Sequence, residues 1–485
     1  MTKLSVLAVL LAAIFCLSSS TARAADQSAT AEVKPVAIEG GYAVVVSKET
    51  NADPEWAKAV ATLKKKYNAE VIVYSGKVSE CRSDLAKLLP RYACFVARPD
   101  EASREFVIQV HRLTRQLNDD PYTDVIWGIL TGYDAGDALR IASRSEPLVI
   151  HKAAGGAGMP LEQFDQGIYY CNGIKGVHFE KGTDGKIEKK TNPDDTTKAL
   201  VDLFNDFKPD LFFTSGHASE HNWMIGYTYK NGQFRCMDGV LEGTDLEHKD
   251  FPIDSPNPKV YLPLGNCLMG HIIDRNSMAC AYMHSAGVYQ MTGYVVSTWY
   301  GYGSGGIKEY FWDQPGRFSL AQSFFANNQA LVHRLETEFP DSARTDLDKF
   351  NIETDPGVIE KIAEKLGYKQ MNERAKDNVA LLWDRDTVAF YGDPAWDARL
   401  AARDCPWDQS LTEKDGVYTF TVTAKQDFDC RRPPIAFLPH RVKDVTIVSG
   451  KEFSPAVGGL FVMFSAPEKL EKGKTYTVVF KASKA

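Results

Sequence analysis

The 485-residue sequence predicts an α/β protein whose mostly parallel sheet is sandwiched by helices and followed by a small all-β sandwich. Two observations predict it. Between residue 42 and about 394, short apolar runs rich in β-branched residues alternate with stretches of helical spacing, the pattern of βαβ units. After residue 405 helical periodicity disappears, and short alternating runs separated by turn residues fill the remainder. Composition agrees with a globular chain. It is 44% hydrophobic and 25% charged, which excludes collagen-like, disordered and coiled-coil classes. The formal charge of -7, with Lys and Arg dispersed, gives no footprint for nucleic acid or for an acidic membrane surface.

The elements follow in order. Residues 1–24 read as a signal peptide: Lys3 gives a positive start, residues 4–17 are apolar, and Ala22-Arg23-Ala24 forms an A-x-A cleavage site. The run is shorter than the roughly 20 apolar residues that span a bilayer. The expectation is an exported protein, periplasmic or secreted, with no membrane span and no lipid anchor. Cleavage near Ala24 removes Cys16 and leaves Cys81, Cys94, Cys171, Cys236, Cys267, Cys280, Cys405 and Cys430. Their spacing matches neither a compact disulfide framework nor a zinc ribbon. Cys405 and Cys430 are close enough in sequence to pair. Residues 25–40 read as a linker, with no long pro-segment before the first strand.

Residues 41–155 read as an N-terminal α/β subdomain, with strands YAVVVS, AEVIVYS, YACFVA and VIWGILTG around helices at 54–67, 81–89 and 104–117. Residues 156–404 read as a second α/β subdomain. It opens with a Gly-, Asp-, Lys- and Thr-rich stretch at 155–195, expected to be an insertion or a joint. A helix at 196–207, the strands DLFFTSG and VYLPLG, a helix at 276–287 and the strand VYQMTGYVVST come next. Helices at 319–339 and 355–374 lead to VALLWDRDTVAFYGDP. Residues 405–485 read as the sandwich, with strands VYTFTVTA, KDVTIVSG, GLFVMFSA and KTYTVVFKAS, and another in PPIAFLP.

Two strand ends carry chemistry. One runs into His217 within SGHASEHNW, the other into Cys267 within LGNCLMG. In an open parallel sheet the groove outside the carboxyl ends of the strands is where sites form. Gly216 and Gly265 let the chain turn as it leaves the sheet. A thiolate is a strong nucleophile, and an imidazole can take its proton and later protonate the leaving group. Backbone N–H groups after His217 and at Cys267 are placed to hold an oxyanion. A buried cysteine and an ordinary histidine are the commoner fates of these residue types; their matched placement after two strands is what lifts the pair above them.

These segments resemble the gingipain-type cysteine peptidases, a branch of the caspase-like clan. SGHASEHNW is similar to the family's Gly-His-Gly-Ser-Glu with a nearby Trp, and YLPLGNC to its strand leading into the catalytic Cys. MTGYVVSTWYG resembles the strand after the cysteine, and FYGDPAW the Gly-Asp-Pro that closes the catalytic domain. The resemblance covers roughly residues 40–480. It implies a caspase-like sheet, a C-terminal immunoglobulin-like domain and endopeptidase activity, with Cys267 as nucleophile and His217 as general acid/base. It implies a polypeptide substrate, no required cofactor, and room for a structural calcium ion. Trp299 and His221 are the expected substrate-binding residues. An acidic residue orienting the histidine is expected from TDVIWGILTGYDAGD, which offers Asp124, Asp134 and Asp137. Two departures stand out: Ala218 replaces the family's usual glycine, and the long inhibitory pro-segment is missing. They sustain the alternative of a non-catalytic binding or surface-interaction protein on the same fold.

Other motifs compete less well. His217-Ala218-Ser219-Glu220-His221 matches H-x-x-E-H, but a zinc site needs both histidines on one helical face, and this segment follows a strand and a glycine. Gly301 to Gly306 satisfies G-x-G-x-x-G outside the context of a dinucleotide fold and reads instead as a loop of the substrate groove. The serine-hydrolase elbow G-x-S-x-G does not occur.

Overall fold

A computed structural model describes residues 35–345, 347, 357–465 and 467–485. The expected signal peptide, most of the expected linker and the start of the helix expected at 355–374 lie outside the described residues. The apolar runs assemble into one twelve-stranded sheet. Its spatial order is Glu70–Tyr74, Tyr42–Ser47, Tyr92–Val96, Ile126–Leu130, Val388–Tyr391, Val288–Tyr294, Lys259–Pro263, Leu211–Thr214, Lys152–Gly155, Gln166–Tyr170, Val177–Lys181 and Ile187–Thr191. Most neighbours are parallel. The exceptions are the Val288–Tyr294/Val388–Tyr391 pair and the outer two pairs at the Ile187–Thr191 edge.

The first exception divides the sheet by direction. Strands from Glu70–Tyr74 to Val388–Tyr391 run one way, and those from Val288–Tyr294 to Gln166–Tyr170 run the other. The carboxyl ends of the two groups therefore open on opposite edges. Several strands are buried along their whole length, as β-branched and aromatic runs covered on both faces must be. Helices flank the sheet: Pro54–Tyr67 packs on Ala135–Ser143, and Leu320–Glu338 packs on Tyr302–Phe311 and Glu373–Arg385.

The two expected α/β parts share this sheet and one continuous core, and position 155 lies at the end of a strand paired on both sides. The 155–195 stretch is not a joint. It supplies three outer strands, and its polar composition follows from exposure, since every residue of Ile187–Thr191 faces solvent. The helix expected at 355–374 is also corrected. Val358–Lys365 ends before Gly367, at φ 85°, and a separate helix, Glu373–Arg385, takes up VALLWDR.

The Gly-Asp-Pro segment locks the two halves together. Asp393 is fully buried and accepts from Tyr42 Oη at 2.8 Å, Tyr67 Oη at 2.7 Å and Lys66 Nζ at 3.0 Å. The first strand, the first long helix and the last sheet strand meet on one carboxylate. Its role is structural.

Beyond residue 405 are small antiparallel sheets. Trp407–Lys414, Val417–Ala424, Thr475–Lys484 and Val442–Ser449 form one; Ile435–Phe437, Phe461–Phe464 and Pro455–Val457 form another. Phe420, Val422 and Phe480 from the first share a core with Val462 and Phe464 from the second. Cys405 and Cys430 are not bonded to each other; both are free thiols, like the other six described cysteines. This part is docked tightly. Arg441 reaches the carbonyls of Leu89, Pro90 and Asp124, and Arg91 reaches those of Leu438 and Pro439.

Candidate active site

Leu211–Thr214 and Lys259–Pro263 are adjacent parallel strands, with Thr214 opposite Pro263. Their carboxyl ends open on the same edge, so His217 and Cys267 leave the sheet side by side. Gly216 at φ 106° and Gly265 at φ 76° make the two turns. A non-glycine residue at positive φ follows the thiol directly: Leu268 is left-handed at φ 57°. Holding a branched residue there costs about 1–2 kcal/mol, a strain that persists only where surrounding contacts fix it. The chain then runs beside the end of Val288–Tyr294, with Leu268 N donating to Val296 O and Gly270 N to Tyr294 O. Gly270 and Gly293 touch at this point, where a Cβ on Gly270 would sit 2.3 Å from the Gly293 carbonyl oxygen.

Asn266 ties the two turns together. It is fully buried; its Nδ2 donates to Gly216 O at 2.8 Å, and its Oδ1 accepts from Thr214 Oγ1 at 2.8 Å. Thr214 Oγ1 in turn lies 2.8 Å from Tyr261 Oη. The residue before Cys267 thus bonds to the residue before His217.

Cys267 is half-buried, and its Sγ accepts from Thr298 N at 3.3 Å. Thr298 Oγ1 donates to Asn266 O at 3.2 Å. Trp299 follows immediately in the chain and is 38% exposed. His217 is exposed, with Tyr227 against its ring at 5.0 Å between centroids. Among the described residues no hydrogen bond joins His217 to Cys267, and the backbone N–H groups of Ala218 and Cys267 are engaged by no partner.

The segment after His217 is a tight hairpin. Met224 N donates to His217 O, Ser219 N donates to Asn222 O, and Ala218 pairs with Trp223. It places exposed His221 at the tip, away from any helical face shared with His217. That geometry removes the physical basis of the zinc motif. Trp223, fully buried, anchors the hairpin through Nε1 to Ser215 O at 3.1 Å.

None of the three acidic candidates contacts His217 among the described residues. Asp124 lies before its strand and faces Arg441, with its carboxyl pushed up to about 7 by burial and by Asp120. Asp134 caps Ala135–Ser143. Asp137 accepts from Tyr133 N and faces His284 Nδ1 at 2.8 Å. Both follow the carboxyl end of Ile126–Leu130, on the edge opposite the turns that carry His217 and Cys267. Asp134, Asp137 and His284 bring one potential ligand atom each within 4.8 Å.

The Gly301 to Gly306 stretch is not a loop. Tyr302–Phe311 is a helix capped by Gly301, and Gly303 and Gly306 pack inside the fold. Sequence reasoning passed over Asn266 and Tyr227 as site residues; the only signal was position, beside Cys267 and ten residues after His217. No helix among the described residues is long and apolar enough to cross a membrane. No protein-family model matches the chain, and no curated protein matches its sequence.

Proposed function

We propose that the protein is an exported cysteine endopeptidase of the gingipain type, with a caspase-like catalytic sheet and an immunoglobulin-like C-terminal domain. The observation that carries this reading is the Asn266 bridge, which sets a thiol and an imidazole on neighbouring turns with two unengaged N–H donors beside them. In this reading the Cys267 thiolate attacks the scissile carbonyl, a C–S bond forms, and the oxyanion is met by the Ala218 and Cys267 N–H groups. His217 delivers its proton to the leaving amine. It then takes a proton from the water that splits the acyl-enzyme. Trp299 flanks the substrate on one side of the thiol and His221 on the other. Residues 1–24 act as the export signal.

The absence of a His217–Cys267 hydrogen bond favours a second reading, a non-catalytic binding protein on the same scaffold. Apo catalytic hydrogen bonds are commonly long and tighten only with substrate, which keeps the peptidase first. Alkylation kinetics separate the two. As a peptidase, the protein reacts with iodoacetamide selectively at Cys267, and His217→Ala slows that reaction at least tenfold near pH 7. A folded-state Cys267 as inert as the buried Cys94, or a rate indifferent to His217→Ala, rejects the dyad.

A further inference from the structure

The segment between Tyr294 and Ser304 is anchored from many sides, and its anchors come from distant parts of the chain. Arg104 Nε donates to Val295 O at 2.7 Å. From the helix Glu373–Arg385, Trp383 Nε1 donates to Ser297 O at 3.0 Å, and Asp377 Oδ1 accepts from Tyr300 Oη at 2.6 Å. Further along the same helix, Asp384 Oδ2 accepts from Gly303 N at 2.7 Å and from Tyr294 Oη at 3.0 Å. Positions 377 and 384 are seven residues apart, so one face of this helix runs beneath the segment.

Another source is the C-terminal domain. Arg432 has a side chain only 11% exposed; its Nη2 donates to Tyr302 O at 3.0 Å and its Nε to Asn327 Oδ1 at 3.3 Å. Its guanidinium lies 3.6 Å from the Tyr302 ring centroid and Nη1 is 3.4 Å from Glu309. Asn327 Nδ2 closes the set on Gly303 O. A planar fork that stacks and bonds at once is a geometry lysine cannot copy. At the other end of the segment, Thr298 touches Cys267 and Asn266. Trp299 and Tyr300 are the large side chains this fastened stretch exposes, and only Tyr300 is tied through its hydroxyl, to Asp377.

We propose that the C-terminal domain, through Arg432, and the helix Glu373–Arg385, through Asp377, Trp383 and Asp384, hold residues 297–303 as a fixed wall of the substrate groove, with Arg432 a positioning residue. The assignment of this groove to substrate rests on the peptidase reading; the strap itself does not. Arg432 acts on the wall and leaves the thiol alone, because its polar contacts are to Tyr302, Asn327, Glu309 and its neighbour Arg431, none of which touches Cys267.

The test uses the full chain as wild type, Arg432→Ala, Arg432→Lys and the surface variant Tyr300→Phe, which removes one hydroxyl and keeps the fold. Hydrogen exchange over residues 297–304 is read by mass spectrometry, alongside KM, kcat and the Cys267 alkylation rate. Arg432→Ala is expected to speed exchange at Tyr302 to Ser304 at least tenfold and to raise KM at least fivefold, with kcat and alkylation within twofold. Arg432→Lys falls between, and Tyr300→Phe speeds exchange near residue 300. Faster exchange with no turnover by the wild type supports the strap and refutes the peptidase. Exchange unchanged in all three variants overturns the strap, whatever the turnover.

Discussion

Asn266 is the residue on which the proposed chemistry turns, and it was the least visible in the sequence. LGNC drew attention to its last letter because thiols have chemistry and amides do not. Only the fold shows that the Asn266 side chain spans from Thr214 Oγ1 to the Gly216 carbonyl. Asn266→Ala leaves Thr214 Oγ1 with Tyr261 Oη alone and strips this partner from the Gly216 carbonyl, whose loss costs about 1–3 kcal/mol. It also frees the two turns to drift, and misplacement by an ångström lowers rates by about 100-fold. Steady-state assays of Asn266→Ala are expected to show turnover slowed at least tenfold, with KM changed less than threefold. The orienting acid was unreadable for the opposite reason. Three aspartates fell in the right stretch of chain, and sequence cannot tell that strand direction sends Asp134 and Asp137 to the far edge. Asp384 makes a second prediction at this scale. Burial pushes its carboxyl up to about 6, opposed by the Gly303 N–H and the Tyr294 hydroxyl. Raised above the unfolded value of about 3.9, it favours the protonated folded state, so its contribution to stability falls as pH rises from about 4 to about 6. Asp384→Asn should therefore gain stability relative to wild type across that window and hold a constant margin above it. Denaturation midpoints between pH 4 and 8 read this directly; a margin independent of pH contradicts it.

Elements were legible where periodicity was strong and covered on both faces, as in YAVVVS, YACFVA and VYLPLG. They were missed where another signal dominated. The small sheet of Asn222–Met224, Gln233–Met237, Val240–Thr244 and Asp250–Pro252 went unseen, although Asp238-Gly239, both at positive φ, is a two-residue hairpin turn. Its strands are three to five residues long and mix charges with apolar residues, too short for a period to show. The glycines at 301 to 306 suggested a loop because glycine weakens helices. Here Asp384 and Asn327 fasten the first turn, and Gly306 is needed where a Cβ would lie 1.7 Å from Asn327 Oδ1. The Gly-Asp-Pro segment was recognised by likeness and explained only by packing. Asp393→Asn leaves the Lys66 ammonium in a dry core without its counter-charge, and removing one partner of a buried pair costs about 3–5 kcal/mol. A urea midpoint should register that loss, while substitution of the exposed pair Lys58–Glu55 should change stability by less than about 1 kcal/mol.

For the whole molecule, the change of texture at residue 405 correctly announced a β-rich tail but gave no hint of how firmly it is fastened. Arg91, Arg432 and Arg441 cross between the parts, and Ile435, Phe461 and Met463 belong to the main core. Phe325 packs against both Phe437 and Phe461, so deletion of residues 405–485 uncovers aromatic surface in the α/β part. Calorimetry of the intact chain should therefore show one cooperative transition, and a chain ending at residue 404 should aggregate. Two separated transitions would mean that the tail is an independent module. The claim that matters most is catalytic. It is tested by incubating the chain from Ala25, as wild type and as Cys267→Ala, with a mixed-sequence fluorogenic peptide library under mild reduction. Turnover by the wild type alone, with loss of activity on stoichiometric alkylation of Cys267, is the predicted result. No turnover from either protein, with Cys267 unmodified by iodoacetamide in the folded state, contradicts the account and leaves the groove as a binding surface.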